Sequence, residues 1–407
     1  MNCRICNSEL KEVLNLKEIY PSTFLSTTMD KVPLITMICT KCGLVQLGDS
    51  IDLDLMYRQY WYKSSLNKSM VDSLKDIVES IEKAITLRDG DVVVDIGCND
   101  GTLFTLFNNK KLVFVGYDPA YNIANEARLN ATVFINDYFS SKVYPLVKKA
   151  KVVTSIAMFY DLENPISFIE EVKEILDIDG IWVIQFTDLV SMLKINAFDN
   201  ICFEHLEYYS LEYLWNLFKD HGLVITDYQH NNVNGGSLRI YLGREGVREE
   251  SKDVLHRIES EREYLNSFTD AFGEFANRVR AIETIVRGFI SDEVERHNKK
   301  VFVLGASTKG NTLLQVFGLD YRLIKYAAEV NPDKFGLKTV GTDIPIIPEK
   351  EAIELNPDYF LILPWHFTDF FVMKFRNYLD GGGKLIVPLP IPATIEIKEG
   401  MVRWTYL

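Results

Sequence analysis

Short runs of β-branched and aromatic residues alternate with stretches of helical periodicity through the middle of the chain. Such runs predict strands, and strands that alternate with helices indicate a parallel sheet with helices on both faces. Two later runs, 223–228 and 237–242, are joined by an Asn- and Gly-rich stretch and should pair as a hairpin. The candidates for the parallel strands are residues 92–96, 113–117, 132–135, 152–156 and 181–186.

Helical periodicity dominates the segments on either side of this pattern. Residues 51–88 carry apolar positions at helical spacing, and residues 245–299 are charged and free of Pro, which predicts a connecting helix or a helical pair. A second α/β pattern follows and indicates another Rossmann-like unit. Its strand candidates are residues 301–304, 326–330, 359–363 and 384–388.

Composition narrows the classes of function. A chain of 407 residues with 47% hydrophobic and 25% charged residues is typical of a globular protein with several domains. The net charge of −13 repels nucleic acid and anionic lipid, so we expect neither as a partner. No apolar run approaches the ~20 residues of a membrane span. The first residues show no leader pattern, and we therefore expect a cytoplasmic protein.

Four of the six cysteines form two matched pairs, Cys3 with Cys6 and Cys39 with Cys42. Two intervening residues in each pair make a tight knuckle that lets both sulfurs converge on one ion. Four thiolates fill the tetrahedral shell of structural zinc, whereas a redox pair is the alternative interpretation. We expect residues 1–55 to form a zinc-binding module in which the metal has no chemical role.

The first parallel strand runs into a Gly-bearing turn, Asp-Ile-Gly-Cys-Asn-Asp-Gly at 95–101, before a predicted helix. Glycine at such a turn lets the backbone approach a ligand, and the helix N-terminus offers free N–H groups. Gly97 and Gly101 lack the third glycine of a pyrophosphate fingerprint, and Asp95 suits an amino-bearing or cationic ligand. Asp118 ends the second strand 21 residues after Gly97, where an acid can take both ribose hydroxyls.

The third strand ends in polar residues that would lie at an adenine edge. Five parallel strands that close with a hairpin are the architecture of S-adenosylmethionine-dependent methyltransferases. We therefore predict a seven-stranded domain of this kind over residues 56–244, the alternative being a nucleotide fold without a cofactor. The predicted cofactor-binding residues are Asp95, Gly97, Asn99, Gly101, Asp118, Asp137 and Tyr138.

Residues 199–210 follow the fifth strand, at the edge of the sheet where such folds place the reacting substrate. His205 near its ordinary pKa can remove a proton at neutral pH, and Glu204 can orient the ring. The alternative is a surface histidine beside a glutamate that opens a helix.

Upstream, residues 57–65 combine three tyrosines with a tryptophan in a short polar segment. Tyr60 and Tyr62 are expected to share a strand face, which predicts a lid with phenol donors. An aromatic core stripe is the alternative interpretation.

The second α/β unit opens with a loop rich in Gly, Ser, Thr and Lys at residues 305–311. A strand that feeds such a loop before a helix is typical of phosphate binding, although the spacing fits neither a Walker loop nor a dinucleotide fingerprint. Glu329 follows the next strand. We expect residues 245–407 to form a helical connection and a C-terminal Rossmann-like domain.

In this order, the motifs resemble those of the bacterial nucleotide-sugar C-methyltransferases, the sugar C-3-methyltransferases of deoxysugar pathways. The resemblance covers essentially the whole chain. At one point the sequence departs from the family, because members that methylate amino sugars show Tyr-His-Glu-His where this chain has Cys-Phe-Glu-His at 202–205. The matching stretches are the two cysteine pairs, Tyr-Trp-Tyr-Lys-Ser at 60–64, the loop at 95–101, Glu204-His205, Asn-Gly-Gly-Ser at 234–237 and the loop at 305–311.

The resemblance implies an enzyme with S-adenosylmethionine and structural zinc, acting on a nucleoside-diphosphate 4-keto-6-deoxysugar. His205 is then the base that removes the C-3 proton, with Glu204 as its acidic neighbour, and Tyr60 and Tyr62 line the sugar site. A tyrosine as the base is the alternative. The implied substrate-binding residues are Ser64, Asn67, Asn234, Ser307, Lys309, Asn311 and Glu329.

Methylation of carbon is the leading interpretation of these features. A C-4 ketone acidifies the C-3 proton, the base removes it, and the enolate attacks the methyl group. An O-methyltransferase, which needs only hydroxyl deprotonation, is the runner-up, and a non-catalytic nucleotide-binding scaffold is the alternative outside enzymes. We expect a monomer or a small homo-oligomer.

Overall fold

The computed structural model of the chain describes residues 2–22, 30–267 and 270–407. An antiparallel arrangement opens it, in which Leu10 lies opposite Cys39 and Ile19 lies opposite Val32. This pairing brings the first cysteine pair, just before the first strand, next to the second pair, just after the second strand. The three strands are β1 (Leu10–Ile19), β2 (Val32–Cys39) and β3 (Val45–Leu47).

The predicted helix over residues 51–88 is wrong in its middle part. A short helix α1 (Leu53–Tyr57) and a long helix α2 (Lys68–Ala84) flank an extended stretch with one 3-10 turn, Ser64–Leu66. We call residues 57–65 the aromatic segment. Its backbone forms hydrogen bonds with loops at the edge of the central sheet.

The central sheet has the predicted architecture. Five parallel strands and an antiparallel hairpin lie in the order β10-β11-β8-β7-β4-β5-β6. The buried runs of the sequence place these strands correctly because both faces are covered by helices. The elements are β4 (Val92–Ile96), α3 (Thr102–Leu106), β5 (Val113–Tyr117), α4 (Ala124–Asn130), β6 (Val133–Ile135), β7 (Ala150–Ile156), α5 (Pro165–Ile175), β8 (Leu176–Thr187), α6 (Leu189–Lys194), β9 (Glu207–Tyr208), α7 (Leu211–Asp220), β10 (Leu223–Asn231) and β11 (Ser237–Arg244).

Two helices, α8 (Lys252–Ser267) and α9 (Ala271–Glu295), form the predicted helical connection to a second seven-stranded sheet. Its order is β14-β13-β12-β15-β16-β17-β18, with the four predicted strands at its centre. The elements are β12 (Val301–Leu304), α10 (Thr308–Phe317), β13 (Ile324–Glu329), β14 (Ile346–Pro348), α11 (Glu349–Glu354), β15 (Tyr359–Ile362), α12 (Thr368–Lys374), α13 (Arg376–Asp380), β16 (Lys384–Val387), β17 (Ala393–Lys398) and β18 (Met401–Tyr406).

Strand β9 does not belong to the central sheet. It pairs antiparallel with β3, with Val45 opposite Tyr208, and is the fourth strand of the N-terminal sheet. One apolar core joins the parts of the molecule, because it contains residues of β1, of α6, of α9 and of the C-terminal sheet. Within the described residues, no helix combines the length and apolarity of a membrane span.

Candidate active site

The four thiols of the N-terminal module converge on one point. The Sγ atoms of Cys3 and Cys42 are 3.6 Å apart and those of Cys6 and Cys39 are 3.4 Å apart, and all four lie within 4.8 Å of one another. A tetrahedral shell with Zn–S bonds of about 2.3 Å places its sulfurs roughly 3.8 Å apart. The cluster therefore fits zinc, and four thiolates leave the ion no open position for a substrate.

The zinc module is joined directly to the segment that carries the predicted base. The backbone N–H of Leu47 in β3 donates to the carbonyl of Leu206 at 2.9 Å. The guanidinium of Arg4, between the first two cysteines, donates to the carbonyl of Leu47 at 3.0 Å and lies 3.7 Å from the carboxylate of Glu207. The residue after His205 is thus held by the zinc-bearing sheet.

The cofactor loop between β4 and α3 needs glycine at two positions. Gly97 has a φ of +75° and Gly101, which caps α3, has a φ of +74°, a region that side chains disfavour. A Cβ on Gly97 would lie 3.2 Å from Cγ of Met158, and one on Gly101 would lie 2.9 Å from Cβ of Asn130. The loop is therefore packed closely against Met158 and Asn130, and a side chain at either glycine would be strained.

The two predicted acids of this loop are buried. The hydroxyl of Thr154 donates to Asp95 at 2.6 Å, and burial raises the pKa of Asp95 to about 7, with the charge of Asp118 acting in the same direction. The backbone N–H groups of Asn99 and Ala120 donate to the two carboxylate oxygens of Asp118 at 2.8 and 2.9 Å. Burial nevertheless raises the pKa of Asp118 to about 6. Both groups are partly protonated near neutral pH.

At the end of β6, the predicted adenine edge contacts helix α1. The guanidinium of Arg58 pairs with Asp137 at 3.1 Å and stacks 4.9 Å from the centre of the Tyr138 ring. The Tyr138 hydroxyl donates to Asp54 at 3.0 Å. Asp137 and Tyr138 are thus joined directly to α1 and the residue that caps it.

Asn99 holds the aromatic segment onto the cofactor loop. Its side-chain amide donates to the carbonyl of Tyr62 at 3.0 Å, and its side-chain oxygen accepts from the backbone N–H of Ser64 at 3.0 Å. Tyr60 exchanges hydrogen bonds of 2.9 and 2.8 Å with Asn122 in the loop after β5. The aromatic segment, which we call the strap from here on, therefore lies across the carboxyl edge of the sheet.

The two tyrosines of this strap have different surroundings. Their ring centroids are 6.4 Å apart. Burial raises the pKa of Tyr60 well above its ordinary value, and the charge of nearby Glu204 adds to the shift. Tyr62 is 39% exposed, burial raises its pKa to about 12, and it lies near Ser64 and Asp100 beside the cofactor loop. Both phenols are protonated donors at neutral pH.

His205 is buried, and its tautomer is fixed. Its Nδ1 lies 2.7 Å from the carbonyl oxygen of Asn200. Because a carbonyl oxygen can only accept, Nδ1 carries the hydrogen and Nε2 keeps its lone pair. Burial lowers the pKa of His205 well below its ordinary value, with the charge of Lys309 adding to the shift, and the ring packs 4.3 Å from that of Tyr160. The imidazole is neutral and can accept a proton at Nε2.

Acidic groups surround this imidazole. Burial raises the pKa of Glu204, which Cys202 and Thr308 hydrogen-bond. Burial also raises the pKa of Asp161 well above its ordinary value. The Tyr57 hydroxyl donates to the backbone carbonyl of Glu204 at 3.0 Å. The pocket thus favours protonated acids and suits a substrate group that gains negative charge.

Lys309 reaches this pocket from the C-terminal unit. Its ammonium donates to the side-chain oxygen of Asn200 at 2.6 Å, while the Asn200 amide donates to the carbonyl of Asn234 at 3.2 Å. Asn200 thereby connects the base, the C-terminal loop and the turn between β10 and β11. His205, predicted as catalytic, and Asn234 and Lys309, predicted to bind substrate, thus meet around Asn200.

Other predicted substrate-binding residues make internal contacts. Asn67 caps α2 by accepting from the N–H of Ser69 at 3.0 Å, and Ser307 caps α10 by accepting from the N–H of Gly310 at 3.0 Å. The Asn311 side chain donates to the Ser307 carbonyl at 3.1 Å. Glu329 accepts from the backbone N–H groups of residues 306, 330 and 331. These four shape the loops and do not meet at His205.

Sequence reasoning missed three groups of the pocket: Asn200, Asp161 and Tyr160. Asn200 lies within the segment singled out around His205, but its spacing gives no sign that its carbonyl would orient the ring. Asp161 and Tyr160 end the fourth parallel strand's loop, in a 3-10 turn (Phe159–Asp161). Their position after a parallel strand, at the ligand-binding edge, was the available signal.

Comparisons with known proteins match every part of the chain. The profile of the family described as C-methyltransferase C-terminal domain matches residues 232–390, a methyltransferase domain profile matches 66–228, and a zinc binding domain profile matches 3–57. The C-methyltransferase NovU of Streptomyces niveus is 32% identical over 376 residues, which are 90% of this chain and 88% of that protein.

Solved structures resemble the chain over less than half of its length. A chain from the complex between the Haloferax volcanii Trm112 methyltransferase activator and a methyltransferase is 16% identical, with a TM-score of 0.36, and the match covers 44% of this chain and 95% of that one. The PH0226 protein of Pyrococcus horikoshii OT3 is also 16% identical, with a TM-score of 0.36 and coverage of 46% and 96%.

Proposed function

The chain belongs to the family of S-adenosylmethionine-dependent C-methyltransferases, and we propose that it methylates C-3 of a nucleoside-diphosphate 4-keto-6-deoxysugar. The single observation that carries the proposal is the state of His205. A buried, neutral imidazole with its lone pair on Nε2 suits proton removal from carbon, a step that O-methylation of a hydroxyl does not require.

The proposed reaction begins at the C-3 proton, which the C-4 ketone acidifies. His205 takes this proton at Nε2, and the electron pair of the C–H bond moves into the enolate, whose charge rests mainly on the C-4 oxygen. Tyr60, a protonated phenol beside Glu204, donates to the substrate's oxygen atoms. Glu204 supports the imidazolium that forms. S-adenosylmethionine supplies, when bound, the methyl group that C-3 takes.

The proposed cofactor site lies along the carboxyl edge of β4, β5 and β6. Asp95 suits the cationic methionine portion and Asp118 the ribose hydroxyls, with Gly97 and Gly101 permitting close approach. Asn99 acts mainly by holding the strap in place. Asp137 and Tyr138 border the adenine end together with Arg58, which stacks on the Tyr138 ring.

The substrate is proposed to lie between this edge and the C-terminal unit. Ser64 on the strap and Asn234 on the hairpin turn flank the sugar side, and Tyr62 closes the cofactor side. We assign Asn67, Ser307, Asn311 and Glu329 an indirect part, since each is committed to loop structure.

The experiment that tests the proposal follows deuterium at C-3. Protein and a thymidine-linked keto-sugar are incubated in heavy water without methyl donor, and exchange at C-3 is measured by mass spectrometry. The wild type should exchange, and His205→Asn should exchange about 10²- to 10⁴-fold more slowly, the usual contribution of a general base. His366→Asn is the matched control, because His366 is also a neutral histidine, with a pKa that burial lowers to about 3.

Exchange at the wild-type rate in His205→Asn would assign the base to another group, with Tyr62→Phe the next variant to measure. Methylation without any C-3 exchange in the wild type would point to a hydroxyl as the acceptor. Normal binding of S-adenosylmethionine by His205→Asn shows that the variant is folded.

A further inference from the structure

Lys309 brings a positive charge from the C-terminal unit into the pocket of His205. Its ammonium lies 2.6 Å from the side-chain oxygen of Asn200, the residue whose carbonyl lies 2.7 Å from Nδ1 of His205. The Lys309 side chain is half-buried. The ammonium and the base are therefore connected through one shared residue, Asn200.

The surroundings of Lys309 are acidic. The positive charge of Lys309 acts on Asp161, Asp199 and Glu204, and on the thiol of Cys202. In all four, burial is the largest effect and raises the pKa, which favours their neutral forms. Burial also lowers the pKa of Lys309, and the charges of these four groups oppose that shift and favour its ammonium form.

We propose that Lys309 is the catalytic electrophile: its ammonium hydrogen-bonds the C-4 carbonyl oxygen and stabilises the negative charge that develops there as His205 removes the C-3 proton. This inference rests on the proposed function and deepens it. The proton moves from C-3 to Nε2 of His205, the electron pair moves onto the C-4 oxygen, and Lys309 keeps its own protons.

The position of Lys309 favours this role over a phosphate contact. A pyrophosphate carries its charges when it binds and would have to bury them where burial already disfavours the charged forms of Asp161, Asp199 and Glu204. A ketone is neutral when it binds and gains charge only in the transition state. A preorganised donor aimed at charge that develops during reaction is the arrangement that accelerates a chemical step.

The test separates enolate formation from nucleotide binding. In Lys309→Met, C-3 deuterium exchange at saturating keto-sugar should fall about 10²- to 10³-fold, the usual loss when one such donor is removed. Calorimetric affinity for thymidine diphosphate, which has no ketone, should stay unchanged. Lys334→Met is the matched control, because this buried ammonium of the same unit donates instead to the Ala306 carbonyl at 2.7 Å.

A second variant guards against a folding defect. In Lys309→Ala, added ethylammonium should restore part of the exchange rate in a concentration-dependent way, since it supplies the missing charge. Exchange at the wild-type rate in Lys309→Met, or a loss of thymidine diphosphate affinity with exchange intact, would overturn the proposal and assign Lys309 to the phosphates. Absence of exchange in the wild type would instead overturn the proposed function itself.

Discussion

In the proposed cofactor site, two buried carboxyl groups are expected to make binding dependent on pH. Burial raises the pKa of Asp95 to about 7 and that of Asp118 to about 6. Each group loses its negative charge as the pH falls through its pKa, and S-adenosylmethionine is a cation. The affinity should therefore be highest above pH 7 and should fall as the pH is lowered, by roughly tenfold between about pH 8 and pH 6.

Calorimetric titration of S-adenosylmethionine over this pH range measures the effect. Asp95→Asn should bind more weakly at pH 8 but lose most of the change above about pH 6.5, because its side chain no longer titrates. Thr154→Val is a milder companion, since it removes only the hydroxyl that donates to Asp95 at 2.6 Å. A wild-type affinity that stays constant over the range would show that neither carboxylate faces the cofactor's charge.

At the residue scale, the sequence identified groups whose chemistry is carried by local spacing. The zinc ligands were found because two matched pairs suffice, and the converging thiols confirm the prediction. The contacts of Asn200 and Lys309 join residues 109 positions apart, and no local pattern encodes them. The roles of His205, Glu204, Tyr60 and Tyr62 stay predictions, although His205 lies in the expected pocket.

At the scale of single elements, strand β9 makes the zinc module part of the active site. Its two residues follow His205 and pair with β3, whose sheet carries the metal ligands. Cys39→Ser should lose zinc and also slow methyl transfer by about 10²-fold. A displacement of the reacting groups by about 1 Å is enough to slow a reaction by this factor. Metal analysis and turnover of the same preparation check both effects.

Cys98→Ser is the control for this prediction. Cys98, in the cofactor loop, is buried against Gly116 of β5 and does not belong to the four-cysteine cluster. The variant should therefore keep its full zinc content. Cys39→Ser protein that retains zinc would refute the site. A zinc-free protein with wild-type turnover would show that β9 holds its position without the metal.

Some helices and strands have a hydrophobic pattern that predicts them from the sequence, and others do not. The strands of the central sheet lie within a few residues of their predicted positions, because continuous buried runs such as that of β4 are unambiguous. Strands β1, β2 and β3 were not predicted; five of the ten positions of β1 are exposed, and β3 has only three residues. The helix expected over 51–88 is broken by the strap, whose backbone partners lie in other loops.

At the scale of the whole molecule, one core joins the N-terminal sheet, helices α6 and α9 and the C-terminal sheet, while the strands of the central sheet pack in two further cores. Residues of β1, of the segment around Phe198, of α9 and of the C-terminal sheet pack together. Loss of any part would expose apolar surface of the others, so we expect heat to unfold the chain in one cooperative transition. Differential scanning calorimetry should show a single peak, and Cys39→Ser should shift the whole peak to lower temperature.

Limited proteolysis during the same heating gives an independent reading. All fragments should appear together at the calorimetric transition. Release of an N-terminal fragment at a lower temperature would show that the zinc module unfolds separately from the remaining core. Phe198→Ala, a change at the shared core, should lower the free energy of unfolding by about 3–5 kcal/mol and so shift the transition to lower temperature.

The three units predicted at residues 1–55, 56–244 and 245–407 stay a prediction, although the two large sheets lie within the second and third of them. The mixed α/β class and the five parallel strands with their closing hairpin followed from periodicity and buried runs. The pairing of β9 with the N-terminal sheet could not be predicted, because a two-residue strand has no periodicity and its partner lies far away in the chain.

The pairing of β3 with β9 has a consequence for synthesis on the ribosome. The partner of Val45 is Tyr208, so about 160 residues must be translated before the N-terminal sheet can close. At roughly 5–20 residues per second, the edge of β3 waits on the order of ten to thirty seconds without its final strand. An open strand edge invites pairing with other chains. Zinc bound early by the nascent chain would keep β3 folded within its own sheet while the rest of the protein emerges.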